Sequence, residues 1–329
     1  MKEKIPKGIH QSQFKNIPLD PGILLGRYTI IKKLASGGFG VVYQAQRSDG
    51  EMVALKEFLP AVLPCRVKSA DDDVFFKNER YRNRFQDGLT AFFREADTLS
   101  KLHLTQVVSI WDVFESRGTA YFAMPLELGM TLRHWVYKSI PILDTNKIIR
   151  LILSACDGVH TLHDHGLLHL DLKPGNLWVR PNQDVLVLDL GASRWEDEEG
   201  RLSQLARTPG FAAPEQHAVK DVSVLTVKTD IYGMAATLLS CLEQTSPPSA
   251  LHRTEKDMPF AKKLAGRHSS QLLEVIDYGM QLKQKNRPVS ILEWKKELNQ
   301  CLPGGLLWGN CFSLKLQETP PPQIDFSSK

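Results

Sequence analysis

The chain has 329 residues, of which 42% are hydrophobic, which is enough for a sizeable core. Its length exceeds that of a usual single domain. Lys and Arg number 41 against 37 Asp and Glu, and a formal charge of +4 over this length leaves no strong basic footprint, so we predict no nucleic-acid partner. The five cysteines are scattered and lack a C-x-x-C pair, which favours reduced thiols and a cytoplasmic location over a disulfide framework.

Residues 1–26 form a polar segment that contains Pro6, Pro18 and Pro21 and no apolar h-region of a signal peptide. We expect a flexible lead-in here, with the folded part starting near Arg27. No later stretch reaches the ~20 apolar residues of a membrane-spanning helix, so no membrane segment is predicted.

Two predicted strands follow, joined by a glycine-rich turn. Residues 28–31 (YTII) and 41–45 (VVYQA) are rich in β-branched and aromatic residues, and residues 36–40 (SGGFG) separate them. Glycines at such a turn let backbone N–H groups approach phosphate oxygens closely. A dinucleotide-binding unit would need a helix directly after the turn, which Val41 and Val42 disfavour.

The next predicted strand, residues 53–56 (VALK), ends on a lysine. From Phe75 the apolar residues recur at three- and four-residue intervals, which predicts an amphipathic helix that contains Glu95 and ends near Leu102. Residues 107–114 and 119–124 then predict two more strands, which complete a five-stranded antiparallel sheet.

A long buried helix is predicted over residues 144–165, with Asp144 as its N-cap. His160 and His163 would share one face of this helix, which raises a metal-binding hypothesis together with His165 and His169. We disfavour this hypothesis because no carboxylate or cysteine completes a site.

Residues 169–176 (HLDLKPGN) place a carboxylate, an ammonium group and a carboxamide close together along the chain. Phosphoryl transfer needs these three groups: Asp171 to take the proton of an incoming hydroxyl, Lys173 to neutralise the moving phosphoryl group, and Asn176 to hold magnesium. Small-molecule phosphotransferases share the pattern H-x-D-x-x-x-x-N. This stretch alone therefore does not distinguish them from phosphotransferases that act on proteins.

The motifs taken in order resemble those of the Hanks-type serine/threonine protein kinases. The matching stretches are residues 34–43 (LASGGFGVVY), 53–56 (VALK), 169–176 (HLDLKPGN), 189–191 (DLG), 208–215 (TPGFAAPE) and 229–236 (TDIYGMAA). Residues 92–96 (FFREA) and 176–180 (NLWVR) resemble the bacterial branch of this family. The departures are Ala35 for the first glycine of the loop, Leu170 for an arginine, and Leu190 for a phenylalanine.

The resemblance implies an α+β fold with two lobes. The expected domain is residues 27–301: an N-lobe (27–124) with the five-stranded sheet and one long helix, a hinge (125–129) and a mainly helical C-lobe (130–301). Residues 302–329 would form a Pro-rich tail.

The resemblance also implies an ATP site. Lys56 would bind the nucleotide phosphates and be held by Glu95. At the hinge, the Pro125 carbonyl and the Glu127 N–H would meet the adenine edge. The nucleotide-binding residues expected besides Lys56 are Ala35, Ser36, Gly37, Gly38, Phe39, Gly40, Val42, Ala54, Met124, Pro125, Glu127 and Trp178.

For the chemistry, the resemblance implies Asp171 as the catalytic base, assisted by Lys173, with Asn176 and Asp189 as ligands of Mg²⁺. Lys173 together with Thr208 is typical of kinases that act on serine and threonine, so protein substrates with Ser or Thr acceptors are expected, the chain itself included.

Two structural pairings come with the same resemblance. Asp230 would accept backbone hydrogen bonds from the stretch 169–176, and Glu215 would pair with Arg287.

Residues 208–215 resemble the end of the activation segment of this family. The arginine usually found at the place of Leu170 binds a phosphate on that segment, which leucine cannot do. We therefore predict that activity depends little on phosphorylation of that segment, although Ser203 is available there. Two alternatives stay open, a pseudokinase that binds without turnover and a small-molecule kinase. The first is disfavoured because all the residues expected to catalyse are present.

Overall fold

The computed structural model describes residues 17–38, 40–61, 63, 74, 76, 78–101, 104–138, 144–195, 208–218, 224–253 and 259–304. They fall into two compact units. Unit 1 contains the described residues before Leu104 together with Val108–Glu127, and unit 2 contains Leu104–Val107 and the described residues from Leu128 onwards.

Unit 1 is built on a six-stranded antiparallel sheet with the strand order β1-β2-β3-β4-β6-β5. The strands are β1 (Leu24–Leu25), β2 (Tyr28–Ser36), β3 (Gly40–Arg47), β4 (Met52–Phe58), β5 (Asp112–Ser116) and β6 (Thr119–Pro125). The predicted hairpin is β2–β3. Because a strand and not a helix follows the glycine turn, the dinucleotide-binding alternative is wrong.

The sheet has one strand more than predicted, and the folded part starts earlier than Arg27. The extra strand is β1, which pairs with the start of β2. Leu19 and Leu25 are both buried, and the Leu19 N–H donates to Tyr43 Oη at 3.0 Å. These leucines belong to the core although the surrounding segment is polar, so residues 17–26 are not a flexible lead-in. Residues 1–16 lie outside the described residues.

The strand predicted over residues 107–114 is also wrong in its bounds, because β5 begins only at Asp112. Val107, Val108 and Ile110 are buried, and Val107 forms a single parallel bridge with Val187, a residue of the same unit 2. A short apolar run does not by itself distinguish a strand from a buried connection.

The long helix α1 (Glu79–Lys101) packs on the sheet through aromatic rings. The Phe58 ring lies 5.0 Å from that of Phe85 and 5.6 Å from that of Phe92, which in turn lies 4.8 Å from Phe122. A Cβ at Gly88 would approach the Phe58 ring to 2.6 Å, so this glycine lets α1 lie close to β4. The helix begins four residues later than predicted, and Leu102 lies outside the described residues.

Unit 2 is mainly helical. Its helices are α2 (Leu132–Lys138), α3 (Thr145–Asp164), α4 (Pro214–Ala218), α5 (Val227–Glu243), α6 (Phe260–Lys263), α7 (Ser270–Gly279) and α8 (Ile291–Asn299). Its short strands are β7 (Met130–Thr131), β8 (Leu167–Leu168), β9 (Leu177–Val179), β10 (Val185–Val187) and β11 (Arg194–Trp195), in two small antiparallel sheets, β10-β9-β7 and β11-β8. The α+β class is confirmed.

The core of unit 2 is formed by α3 and α5 with α7 and α8 packed against them. The predicted N-cap of α3 is confirmed, since the Asp144 side chain accepts the Asn146 N–H at 2.9 Å. Residues 229–239 of α5 are all buried, and a Cβ at Gly233 would lie 3.2 Å from the Leu172 Cβ. This close packing brings the stretch 169–176 onto α5.

Three further sequence predictions concern the ends, the cysteines and the membrane. Leu302, which we assigned to the tail, is buried, and residues 305–329 lie outside the described residues, so the rest of the tail stays a prediction. The described cysteines, Cys156, Cys241 and Cys301, are free thiols, and burial raises the pKa of each. No helix in the described ranges has both the length and the apolar character needed to cross a bilayer.

Candidate functional site

The glycine turn of unit 1 contains two kinds of glycine. A Cβ at Gly40 would approach the Glu57 carbonyl oxygen to 2.0 Å, so packing against β4 requires glycine there. At Gly37 and Gly38 no described atom lies within 4 Å of the Cβ position, and neither has a positive φ. Neither packing nor backbone strain explains these two glycines, which leave the turn backbone open to a ligand. Phe39 lies outside the described residues.

Five of the predicted nucleotide-binding residues on the strands of unit 1 share one face of the sheet. Ala35 is paired with Val42, and Val42 with Lys56, across three adjacent strands. Ala54 precedes Lys56 by two residues and is paired with Met124. Residues directly opposite on neighbouring strands, and residues two apart on one strand, point to the same side.

Lys56 forms an ion pair with Glu95 of α1, with Lys56 Nζ and Glu95 Oε1 2.8 Å apart. Both side chains are largely buried, and the Lys56 ammonium also lies 5.1 Å from the centre of the Phe122 ring. The attraction between opposite charges is stronger at a site withdrawn from water than at an exposed one. The ammonium group of Lys56 is therefore held at one point on the face that carries Ala54 and Val42.

The predicted hinge begins at the last residue of β6. Pro125 is the last residue of β6 and Glu127 the last residue of unit 1. In unit 2, Trp178 Nε1 donates to the Leu128 carbonyl at 3.2 Å, a contact that the sequence did not reveal. Gly129 has a φ of +136°, and a Cβ there would lie 2.1 Å from the Val179 carbonyl, so glycine is required where this segment meets β9.

The carboxylate of Asp171 in unit 2 is surrounded by donors and is only 5% exposed. Its Oδ2 lies 2.5 Å from Lys173 Nζ and 3.1 Å from Asn176 Nδ2, and its Oδ1 accepts from Thr208 Oγ1 at 2.7 Å. Lys173 Nζ also donates to Thr208 Oγ1 at 3.2 Å. The structure thus brings Asp171, Lys173 and Asn176 together. It adds Thr208, which the sequence had linked only to the choice of serine and threonine as acceptors.

The backbone of the stretch 169–176 is fixed by Asp230. Its two carboxylate oxygens accept the N–H groups of His169 and Leu170, each at 2.8 Å, which confirms the predicted pairing. His163 Nε2 lies 2.9 Å from the same carboxylate. Burial by itself would raise the pKa of Asp230, but the hydrogen bond and charge of His163 and the backbone donors hold that pKa below its ordinary value.

Two of the four histidines of the metal-binding hypothesis have carboxylate partners. His163 binds Asp230, and His160 Nδ1 lies 3.3 Å from Asp164 Oδ1. Within the described ranges, no cluster of three or more His, Cys, Asp or Glu could hold a metal ion.

Asn176 and Asp189 lie at the same end of the β9–β10 hairpin. Leu177 is paired with Val187, and the Asn176 carbonyl accepts the Leu188 N–H at 2.9 Å. Asn176 Nδ2 donates to the Asp171 carbonyl at 2.8 Å, so Oδ1 is the side-chain atom of Asn176 that could bind a cation. Asp189 has a φ of +64°, a left-handed conformation that is uncommon outside glycine and is often found at functional sites.

The donor set suits magnesium. Mg²⁺ prefers oxygen ligands and is usually held by one or two carboxylates together with substrate phosphates. An amide oxygen from Asn176 and a carboxylate from Asp189 match this preference.

Leu170 also has a left-handed backbone, with a φ of +64°. Its side chain is buried in an apolar cluster with Leu168, Ala192, Leu225 and Val227. The position that carries a phosphate-binding arginine in the resembled family therefore carries an apolar contact here.

The predicted pair of Glu215 and Arg287 is confirmed. Arg287 Nη1 and Nη2 donate to the two carboxylate oxygens of Glu215 at 2.6 and 2.9 Å. Burial opposes ionisation of Glu215, but the hydrogen bonds and charge of Arg287 hold its pKa below the ordinary value. The pair joins the segment 208–215 to the helices that follow.

Known proteins are similar to this chain in sequence and in fold. Residues 28–297 match the protein kinase domain. The chain is 30% identical to the probable serine/threonine-protein kinase PknB of Lactococcus lactis over 68% of this chain and 33% of that protein. It is 32% identical to the serine/threonine-protein kinase PknE of Mycobacterium bovis over 69% of this chain and 36% of that protein.

A further relative is the probable serine/threonine-protein kinase zyg-1 of Caenorhabditis briggsae, 26% identical over 75% of this chain and 32% of that protein. The chain thus spans about a third of the length of these curated relatives. Among solved structures, the PpkA-294 apo form matches with a TM-score of 0.74 at 26% identity, covering 85% of this chain and 99% of that chain.

Proposed function

Because the chain belongs to the protein kinase family, in the bacterial branch of its Hanks-type members, we propose that it is a serine/threonine protein kinase. It would transfer the γ-phosphoryl group of ATP to hydroxyl groups of proteins, its own included. The observation that carries this proposal is the arrangement at Asp171, where Lys173, Asn176 and Thr208 all contact one nearly buried carboxylate.

Asp171 would act as the catalytic base. A bond forms between the acceptor oxygen and the γ-phosphorus, the bond from that phosphorus to the bridging oxygen breaks, and ADP leaves. The hydroxyl proton passes to the Asp171 carboxylate. An ionised carboxylate has about four lone-pair sites, and the contacts from Lys173, Thr208 and Asn176 occupy three of them.

Lys173 would contribute charge as well as orientation. Its ammonium group lies within 3.2 Å of both Asp171 and Thr208. It would therefore lie beside an acceptor hydroxyl that binds to Asp171. A fixed positive charge at this place favours the negative charge that develops on the transferred group. The contact between Lys173 and Thr208 supports serine and threonine as the acceptor class.

In unit 1, Lys56 would bind the phosphates of ATP, with Glu95 keeping its ammonium group in place. Gly37 and Gly38 would offer backbone N–H groups to phosphate oxygens. The Pro125 carbonyl and the Glu127 N–H would bind the adenine edge, as expected for a hinge at residues 125–129. In unit 2, Trp178 would lie beneath the base.

Asn176 and Asp189 would hold magnesium. The metal, when bound, would neutralise charge on the β- and γ-phosphates. Two hydrogen bonds of Nδ2 hold the Asn176 amide in one orientation, and the left-handed backbone of Asp189 sets the direction in which its side chain leaves the chain.

The test is transfer of label from ATP carrying radioactive phosphorus at the γ position, with magnesium and dephosphorylated casein as acceptor. Label should enter protein, appear as phosphoserine or phosphothreonine after partial acid hydrolysis, and be lost when EDTA removes the metal. Asp189→Asn keeps a residue that tolerates the left-handed backbone, so it should raise the magnesium concentration needed for half-maximal rate.

Two outcomes would contradict the proposal. If no label enters any acceptor although the protein binds ATP, the chain is a binding scaffold. If label enters small molecules but never protein, it is a phosphotransferase of another class.

A further inference from the structure

Gln216 is a buried glutamine to which the sequence motifs assign no role. It lies in α4 directly after Glu215 and is 2% exposed. Its Oε1 accepts the Ala213 N–H at 2.8 Å, and its Nε2 donates to the Leu170 carbonyl at 2.8 Å. One side-chain amide therefore joins the segment 208–215 to the stretch that carries Asp171.

The carbonyl that Gln216 binds belongs to the peptide group between Leu170 and Asp171. The N–H of the same peptide group donates to His169 Nδ1 at 3.2 Å. His169 Nε2 lies 3.0 Å from the Leu188 carbonyl, which fixes the tautomer with the proton on Nε2. Because a peptide group is planar, holding its C=O and its N–H sets the direction in which the Asp171 side chain leaves the backbone.

The backbone at Leu170 needs this support. Its φ of +64° is unfavourable for a residue with a branched side chain, and such a conformation persists only where the surroundings hold it. Asp230 holds the Leu170 N–H at 2.8 Å, and Gln216 holds the Leu170 carbonyl. The two contacts fix this residue from both sides.

We propose that Gln216 is a positioning residue that holds the Leu170–Asp171 peptide group in the orientation that phosphoryl transfer requires, and that it does so without a phosphate on the activation segment. This inference rests on the proposed function. An arginine at the place of Leu170 would join the stretch 169–176 to that segment through a phosphate. Here a neutral amide makes a link between the same two parts of the chain, and the link exists in the unphosphorylated protein.

The first test compares Gln216→Met with Gln281→Met. Both changes remove a glutamine amide at similar volume, but Gln281 Nε2 donates to the Asp277 carbonyl in the region of α7, at 3.1 Å. We expect kcat to fall by about 10- to 100-fold in Gln216→Met, since a small misplacement of a catalytic group has an effect of that order. The KM for ATP should stay unchanged, and Gln281→Met should keep the wild-type kcat.

The second test uses pH and Gln216→Glu. A protonated glutamic acid can donate to the Leu170 carbonyl and accept from Ala213, whereas the carboxylate has no proton to donate. The ratio of the variant kcat to the wild-type kcat should therefore rise as the pH is lowered from about 8.5 to about 6, helped by burial, which raises the pKa of a carboxyl group. A loss of general stability gives no such rescue.

Hydrogen exchange separates this inference from the proposed function, because it needs no turnover. The amides of Leu170 and Asp171 should exchange faster in Gln216→Met than in Gln281→Met. Unchanged protection of these two amides would overturn the inference, whether or not the wild type transfers phosphate. So would equal kcat values in the two methionine variants, or a kcat ratio for Gln216→Glu that does not change with pH.

Discussion

Removing the carboxylate of Glu215 tests how much the stability of the fold depends on pairing the buried charge of Arg287. The Arg287 side chain is fully buried and that of Glu215 is 13% exposed. Besides the two bonds to Glu215, the guanidinium donates to the carbonyls of Gln281, Lys228 and Leu282 at 2.7, 3.0 and 3.2 Å. In Glu215→Ala the positive charge would stay buried with only neutral acceptors around it.

The expected loss is about 3–5 kcal/mol of unfolding free energy, the usual effect of breaking a buried pair from one side. Proteins have about 5–15 kcal/mol of total stability, so this is a large fraction. At about 2–4 °C per kcal/mol for a domain of this size, the melting temperature should fall by about 6–20 °C. Solvent screens the attraction between Glu215 and Arg287 only weakly, because both side chains are buried.

Urea unfolding followed by circular dichroism measures the loss, and Arg267→Met is the matched control. Arg267 Nη1 lies 2.7 Å from Glu243 Oε2, but the Arg267 side chain is 67% exposed, so its loss should stay below about 1 kcal/mol. The double variant Glu215→Gln/Arg287→Met should lose less than the sum of its single variants. A loss in Glu215→Ala no larger than that in Arg267→Met would refute the reasoning.

The other predictions concern acid pH, the glycine turn, phosphorylation and the base-binding region. The pKa of Glu215 is lowered in the folded protein, so the ionised carboxylate stabilises the fold above the ordinary pKa of 4.5. This stabilisation is lost as the pH falls through the folded pKa. In acid unfolding, the stability difference between wild type and Glu215→Gln should therefore shrink over that pH range. In Gly40→Ala the added methyl group would meet the β4 backbone, so the variant should lose about 1–3 kcal/mol of unfolding free energy in urea unfolding. Gly38→Ala should leave stability unchanged and raise the KM for ATP. Ser203→Ala should keep the wild-type kcat in the label-transfer assay, and an inactive variant would contradict the role given to Leu170. Trp178→Phe should lose about 0.5–1.5 kcal/mol in urea unfolding, because the indole hydrogen bond to a backbone carbonyl disappears.

The sequence predicted features whose residues lie close together along the chain. The β2–β3 hairpin follows from β-branched residues on both sides of a glycine turn, and α3 from its apolar period and the Asp144 cap. The pair of Glu215 and Arg287 was predicted across a long separation only because motifs of a known family contain both residues.

Other features depend on contacts between distant segments that no local pattern contains. Leu25 lies in a polar segment and is buried only because β1 pairs with β2. Gly40 was assigned to phosphate binding, but its closest neighbour is the backbone of β4. Gln216 looks like any helix residue in the sequence, and its role arises only once Leu170 adopts a left-handed backbone beside it.

The central claim is that Asp171 removes the acceptor proton during phosphoryl transfer. Its most direct test is the initial rate of label transfer from ATP to protein in wild type and Asp171→Asn, with ADP affinity measured on the same samples. We predict a rate lower by about 10²- to 10⁴-fold in Asp171→Asn, with unchanged ADP affinity. Transfer by Asp171→Asn at the wild-type rate would contradict the account.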